Sequence, residues 1–291
     1  MIASHDVALI FEGGGMRGAY SAGMVRALLE AGVDFPLTCG ISAGSSLTCN
    51  YVARAPDRAR QAFVDIALDP HIGNVWTFLR GQGLFHSEYL YRDIPRQDGP
   101  FPARWQEFVA NPADVRIAAF DIERGENTWW SKADIHDVEG LLTRVQASSS
   151  MPGLMPITEI DGRKYVDGAL GGMGGIGLDA AQAAGYQKFV VILTQERDYV
   201  KRPQRYLSAI RAAFRRYPAV AAALADRHRR YNACRARLFE LEAAGAAYLF
   251  IPERMPISNG ERNYRKLLAT YYAGLGQARR EIPAIVEFLT H

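Results

Sequence analysis

The stretch VALIFEGGGMRGAYSAGMVRALLEAG, Val7 to Gly32, carries the signal that decides the fold. It opens on a short apolar run, Val7 to Phe11, that stops at three consecutive glycines, the pattern of a buried strand. Beyond the turn, Ala22, Val25, Leu28 and Leu29 recur at helical spacing, and Gly32 supplies a C-terminal stop. The pattern then repeats. PLTCGI (Pro36–Ile41) reads as a second strand, and a helix is expected from about Ser42 to Arg54. Strand, glycine turn and helix, twice over, specify a parallel α/β sheet.

Working outward, VRIAAFDI (Val115–Ile122), KFVVILT (Lys188–Thr194) and AAYLFIP (Ala246–Pro252) read as further strands. Residues 197–245 and 261–290 read as mostly helical, with Pro218 interrupting the first block. The expectation is one α/β core over residues 7–195, with a helical C-terminal portion, 196–291, packed on it rather than folding independently. The chain of 291 residues is long enough for such a core, and 48% apolar with 22% charged residues is ordinary for a globular protein.

The longest apolar runs, FVVIL (Phe189–Leu193) and AVAAALA (Ala219–Ala225), are too short to span a bilayer. MIASHDVALIF at the N-terminus has no basic segment ahead of its apolar run, so no export signal is read. Cys39, Cys49 and Cys234 form no CxxC pair and leave an odd thiol, which suits a reducing compartment. Cytoplasm is the expected location, with attachment to a membrane surface as the variant.

The net charge of +3 hides an asymmetry. Residues 197–237 hold twelve Lys and Arg against Asp198 and Asp226, a local balance of +10 that leaves −7 for the rest. The block reads first as a solvated face of surface helices and second as a surface for anionic lipid headgroups. No zinc-ligand spacing or RNA-binding signature accompanies it, so nucleic acid is not an expected partner. The aromatic-rich stretch from Gly73 to Tyr91 reads as core, with a lid or acyl-chain groove as the alternative. Nothing in the sequence sets the oligomeric state.

The chemistry lies in the turns. Gly13, Gly15 and Gly18 match the GxGxxG dinucleotide fingerprint, although the acidic residue expected later has only Asp34 as a candidate, and it comes early. Glycines let backbone amides approach a ligand, and the following helix favours an anion there, either a phosphate or an oxyanion. The second turn, Gly40, Ile41, Ser42, Ala43 and Gly44, matches the GxSxG nucleophile elbow, with a plain helix N-cap at Ser42 as the alternative. If the two strands are neighbours, both turns open at one edge of the sheet. Ser42 could then attack a carbonyl whose oxygen is held by the Gly14 and Gly15 amides. None of the six histidines lies in a motif-like setting, and His228, in DRHRR, reads as solvated. Asp167 is the better base: it follows a short strand and precedes Gly168, though a bare Asp-Gly pair is commonly a surface turn.

Taken in order, EGGGMRG (Glu12–Gly18), GISAGS (Gly40–Ser45) and DGA (Asp167–Ala169) resemble the patatin-like phospholipase family. ASSSMPGLMPI (Ala147–Ile157) is similar to the segment that leads to the family's aspartate, and the likeness covers about residues 7–195. Glu12 stands where many members have aspartate. The resemblance implies a three-layer α/β sandwich with a mostly parallel central sheet. It also implies a Ser–Asp dyad without histidine, with Ser42 as nucleophile and Asp167 as general base in a turn completed by Gly168 and Ala169. Gly13, Gly14, Gly15, Met16, Arg17 and Gly18 would supply the oxyanion donors.

The implied reaction is hydrolysis of an acyl ester, phospholipid or lysophospholipid, through an acyl-serine, with no cofactor and no metal. A carboxylate of ordinary pKa, about 3.9, is a weak base for a hydroxyl, so Asp167 has to be buried for this chemistry. Two other readings stand beside it: a dinucleotide-binding oxidoreductase using the first glycine turn, and a binding module that keeps the fold without catalysis.

Overall fold

The computed structural model describes residues 2–290. A small parallel pair, β1 (Ile2–Ala3) with β3 (Val33–Asp34), stands apart from an eight-stranded sheet. That sheet contains β2 (Val7–Phe11), β4 (Leu37–Ile41), β5 (Asp114–Asp121), β6 (Glu126–Trp130), β7 (Thr158–Ile160), β8 (Arg163–Asp167), β9 (Lys188–Ile192) and β10 (Ala247–Phe250). Its order is β10-β9-β2-β4-β5-β8-β7, with β6 paired to β5. The run from β10 to β5 is parallel, while β6 and β8 are antiparallel to β5 and β7 is antiparallel to β8. Every residue of β2 and β4 is buried, as central parallel strands covered on both faces must be.

Alternate residues of β2 divide the layers. Val7, Leu9 and Phe11 pack with α1 (Gly18–Glu30), α2 (Ala43–Val52), α3 (Pro56–Phe63), α5 (Trp105–Ala110) and α6 (Val138–Ser149). Ala8 and Ile10 face the opposite layer, which holds α7 (Leu178–Ala183) and α9 (Pro218–Ala243). The result is the α/β sandwich with a mostly parallel sheet that the sequence leads one to expect. From the C-terminal portion, β10 extends the sheet beside β9, and α10 (Tyr264–Thr290) packs through Leu267, Tyr271 and Leu275 into the layer of α1. Among the described residues no helix is long and apolar enough to cross a membrane. Cys39, Cys49 and Cys234 are buried free thiols.

Four details differ from the sequence reading. The second helix ends at Val52, short of Arg54. Residues 197–206 are not helical; α8 (Leu207–Ala213) is short, and Pro218 begins α9 at a position whose N–H has no helical acceptor anyway. The basic block is not one solvated face, because Arg235 is 3% exposed and donates to the carbonyls of Glu196 at 2.7 Å and Arg197 at 3.0 Å. The aromatic stretch from Gly73 is also not plain core. In α4 (Val75–Leu79), Val75, Trp76, Phe78 and Leu79 are exposed, while Phe85, Leu90 and Tyr91 line a cavity.

One feature of the register matters most for function. Along β5, Ile117 and Ala118 pair with β4 on one edge and with β6 on the other. Ala119 pairs with Thr128 of β6 and with Asp167 of β8, so β8 lies on the same edge as β4. The parallel strand β4 ends at Ile41 opposite Ala118, and the antiparallel strand β8 ends at Asp167 opposite Ala119. Two chain segments far apart in sequence thus meet head to head on adjacent residues of one strand.

Candidate active site

Ser42 is the first residue beyond β4 and has φ +56° and ψ −125°. A serine in that region is strained by about 1–3 kcal/mol, so the surroundings have to hold it there. They do so at close quarters. A Cβ on Gly40 would overlap the Gly44 carbonyl, and one on Gly44 would overlap the Phe11 carbonyl, so only glycine fits either position. The Ser42 N–H donates to Ser148 Oγ at 2.8 Å. Ser42 occupies the N-cap position of α2, yet its side chain caps no amide. The hydroxyl donates instead to Asp167 Oδ2 at 2.8 Å.

Asp167 is held just as firmly. Its N–H donates to the Ser150 carbonyl at 2.8 Å, and its Oδ1 accepts the Ala169 N–H at 2.8 Å. Asn127 Nδ2 supports the turn by donating to the Gly168 carbonyl at 3.0 Å. Ser42 and Asp167 are 8% and 7% exposed. Burial pushes the Asp167 carboxyl above its usual range, opposed by the charge of Arg227, the Ala169 N–H and the Ser42 hydroxyl. A carboxylate that must take a proton from an alcohol needs a shift in this direction.

The glycine loop narrows to two free donors. The Gly13 N–H donates to Gly175 O and the Met16 N–H to Asn259 O, both at 3.0 Å. The Arg17 N–H turns back to Gly14 O at 3.3 Å, and the Gly18 N–H closes the same short turn onto Gly15 and Met16. Those four amides hold the loop in shape and are not open to an oxyanion. Gly14 and Gly15 have no backbone acceptor among the described residues. Gly15, at φ +56° and packed against the Asn259 carbonyl, lines the same cavity as Ser42.

That cavity has a volume of about 160 Å³. Ala43 and Met16 line it near Ser42, and Ile66, Phe85, Trp105 and Val145 extend it as an apolar wall. Tyr91 also lines it, close enough to feel Asp167, and its phenol is pushed up to about 12, chiefly by burial.

Several residues that build the site had no role assigned from the sequence. Ser148 and Ser150 tie the two strand ends together, and their only signal was membership of the ASSSMPG segment. Glu12, 2% exposed, accepts from Tyr231 OH at 2.7 Å and from the Thr194 N–H at 2.6 Å, fixing the start of the glycine loop. Arg227 Nε donates to the Ala169 carbonyl at 3.0 Å beside the aspartate turn. Tyr231, Arg227 and Asn259 come from the C-terminal third, where no motif pointed to them.

The alternatives read from the residues fare differently. Neither Ser42 nor Asp167 hydrogen-bonds a histidine; His228 Nδ1 instead lies 3.1 Å from the Ala225 carbonyl, and His291 is outside the described residues. Asp34, the acid a dinucleotide site would use, pairs with Arg54 at 2.6 Å. Among the described residues no group of three His, Cys, Asp or Glu side chains could hold a metal ion.

A family model described as patatin-like phospholipase matches residues 9–178. The chain belongs to the patatin-like phospholipase family. A second model, described as a domain of unknown function (DUF6363), matches residues 217–290, the part that supplies Arg227, Tyr231 and Asn259 to the patatin-like site.

Among curated proteins, the chain is 25% identical over 203 residues to patatin-like phospholipase domain-containing protein 6 of Mus musculus, covering 66% of this chain and 14% of that protein. It is 24% identical over 209 residues to the uncharacterized protein YjjU of Escherichia coli, covering 68% of this chain and 54% of that one. The chain therefore spans only part of the length of these relatives. Among solved structures, VipD from Legionella pneumophila aligns over 94% of this chain and 67% of its own, with a TM-score of 0.44 and 11% identity.

Proposed function

We propose that this protein hydrolyses a lipid acyl ester through a covalent acyl-Ser42 intermediate, with Asp167 as the only general base. The observation that carries this reading is the 2.8 Å hydrogen bond from Ser42 Oγ, which lines a mostly apolar cavity, to the buried Asp167 carboxylate, whose pKa burial raises. Ser42 Oγ attacks the ester carbonyl as its proton moves to Asp167 Oδ2, so free alkoxide never accumulates. Negative charge develops on the carbonyl oxygen, and the Gly14 and Gly15 amides are the donors left free to receive it. Collapse of the tetrahedral species breaks the bond to the leaving alcohol, which takes the proton from Asp167. Water then attacks the acyl-serine, giving its proton to Asp167, and release of the fatty acid returns the proton to Ser42.

The apolar lining favours an acyl chain over a polar substituent on that side of the carbonyl, in keeping with a phospholipase or lysophospholipase. The test is covalent. A fluorophosphonate probe should label wild-type protein once, on Ser42, as mapped by peptide mass spectrometry. Ser42→Ala should take up none, and Asp167→Asn should label slowly. Label on another residue, or undiminished ester turnover by Ser42→Ala, ends the proposal. A wild-type protein that neither labels nor hydrolyses any ester is a binding module on this fold.

A further inference from the structure

We propose that a second cavity, lined by Lys201, Arg202, Arg227 and His228, is a site for a phosphate group on the Asp167 side of the reacting pair. Its volume is about 320 Å³, and Tyr199, Val200 and Gln204 complete its wall. The inference deepens the hydrolase reading and rests on it where the phosphate belongs to a lipid.

The site is built rather than incidental. Lys201 is pinned to α9 by a reciprocal pair of hydrogen bonds: its N–H donates to Asn232 Oδ1 at 2.9 Å, and its carbonyl accepts from Asn232 Nδ2 at 3.0 Å. Its ammonium lies 4.4 Å from the ring centre of Tyr231 and 5.6 Å from that of Tyr199. Arg227 is aimed by the bond from its Nε to the Ala169 carbonyl, which sets the guanidinium between this cavity and the aspartate turn.

The charges are unbalanced. Elsewhere in the basic block Arg197 pairs with Glu242, Arg229 and Arg230 with Asp226, and Arg237 with Glu240, while Arg205, Arg211, Arg215 and Arg216 are exposed to solvent. Among the described residues, no carboxylate stands within ion-pair range of Lys201, Arg202 or Arg227. Glu12 is near, but both its oxygens are engaged, by Tyr231 and Thr194. Arg17, from the glycine loop, adds a further cation whose Nε is buried with no partner. The crowding is felt at Lys201, whose ammonium is pushed down to about 8, first by burial and then by Arg227, with Arg17 adding to it and Glu12 opposing. An oxyanion would relieve this repulsion, and guanidinium forks match phosphate oxygens.

The direction of the reaction says where the phosphate would come from. Asp167 protonates the leaving alcohol, so the alcohol departs on the Asp167 side, while the acyl chain lies in the apolar cavity. In a glycerophospholipid the phosphate is carried by that alcohol. The two cavities would then hold the two ends of one amphiphile, with the ester at Ser42.

The test compares wild-type protein with Lys201→Gln/Arg202→Gln and with the charge-keeping Lys201→Arg. Substrates are monomeric dihexanoyl phosphatidylglycerol and neutral p-nitrophenyl hexanoate, which share an acyl chain. Loss of the charges should lower kcat/KM for the phospholipid by about tenfold or more, leave the neutral ester within about twofold, and be largely avoided by Lys201→Arg. A parallel arm measures thermal unfolding in millimolar inorganic phosphate against chloride of equal ionic strength.

Selective loss on the phospholipid identifies a headgroup site. Phosphate-specific stabilisation of the wild type alone, with unchanged phospholipid kinetics, identifies a site for free phosphate. If neither appears, the proposal is overturned. If the wild type hydrolyses neither ester, the hydrolase reading fails, while the phosphate arm still decides whether the anion site exists.

Discussion

The cavity that Ser42 lines and the basic cavity that Arg227 ties to the aspartate turn differ in the character of their walls. One is walled mainly by apolar side chains such as Ile66, Phe85, Trp105 and Val145, all from the patatin-like part of the chain, with Arg58 and Arg104 also on its lining. The other is walled by cations and draws Lys201 and Arg202 from the loop after β9 and Arg227 and His228 from α9. An apolar wall excludes charge, and a cationic wall with no carboxylate in place attracts it. On the proposed reading, this contrast would orient an amphiphilic ester across Ser42 and Asp167 before any specific contact is made. It also assigns the C-terminal portion a part in the site, since one wall is largely its own. We therefore propose that residues 196–291 act with the core as a single unit.

The sharpest way to break this comparison is to remove the chemistry both cavities share. Ser42→Ala is expected to lower turnover of charged and neutral esters alike, by about 10³-fold or more, with its melting temperature little changed. Asp167→Asn is expected to lower kcat by a comparable order. With Asp167 as the proposed base in its carboxylate form, the acid limb of kcat/KM should lie above the range of an ordinary carboxyl and vanish in the variant.

Stability should move the other way. Because the folded-state pKa is raised, the buried charge destabilises the fold above that pKa, and the penalty fades as pH falls through it. Asp167→Asn should therefore melt higher than wild type at neutral pH and lose that advantage in acid. A variant that melts lower at every pH would contradict this account of the carboxylate.

A smaller effect separates the two sides. Ala62→Phe adds a ring to the apolar cavity. It is expected to reduce kcat/KM for dodecanoyl esters about tenfold relative to butanoyl esters, and to leave inorganic phosphate stabilisation unchanged. Equal losses at both chain lengths would mean that this cavity does not receive the acyl chain.

The smallest effect concerns the tie between α9 and the glycine loop. Tyr231→Phe removes the donor to Glu12 Oε1 and leaves a buried carboxylate oxygen unpartnered. It should destabilise the protein by about 1–3 kcal/mol, read from denaturant unfolding, with a several-fold loss of kcat if the loop shifts. An unchanged unfolding midpoint would show that the contact is not holding the loop.

What could be read from residue order was whatever a local rule encodes. Three glycines after Val7–Phe11, and glycines flanking Ser42, signal tight turns with approachable amides, and at Gly13, Gly40 and Gly44 a side chain would collide with a carbonyl of the same or the adjoining turn. Short apolar runs likewise gave the central parallel strands β2, β4, β5, β9 and β10, and helical spacing gave α1 and α2. Strands β1, β3, β6 and β7 and helices α3 to α7 had no comparable signal. The glycine loop was read too broadly. Which amides stay free depends on Gly175 and Asn259, whose carbonyls come from remote loops. Tyr231, Arg227 and Lys201 had no local signature either, since a tyrosine or a cation on a helix or loop looks alike whether it faces water or a buried carboxylate.

The sequence by itself determined the fold class and the two turns, because backbone sterics and side-chain periodicity act over a few residues. Only the tertiary structure decided that β4 and β8 end on neighbouring positions along one edge of β5, which brings Ser42 and Asp167 to 2.8 Å. Strand pairing is set by the packing of the whole core, and no spacing between residues 42 and 167 encodes it.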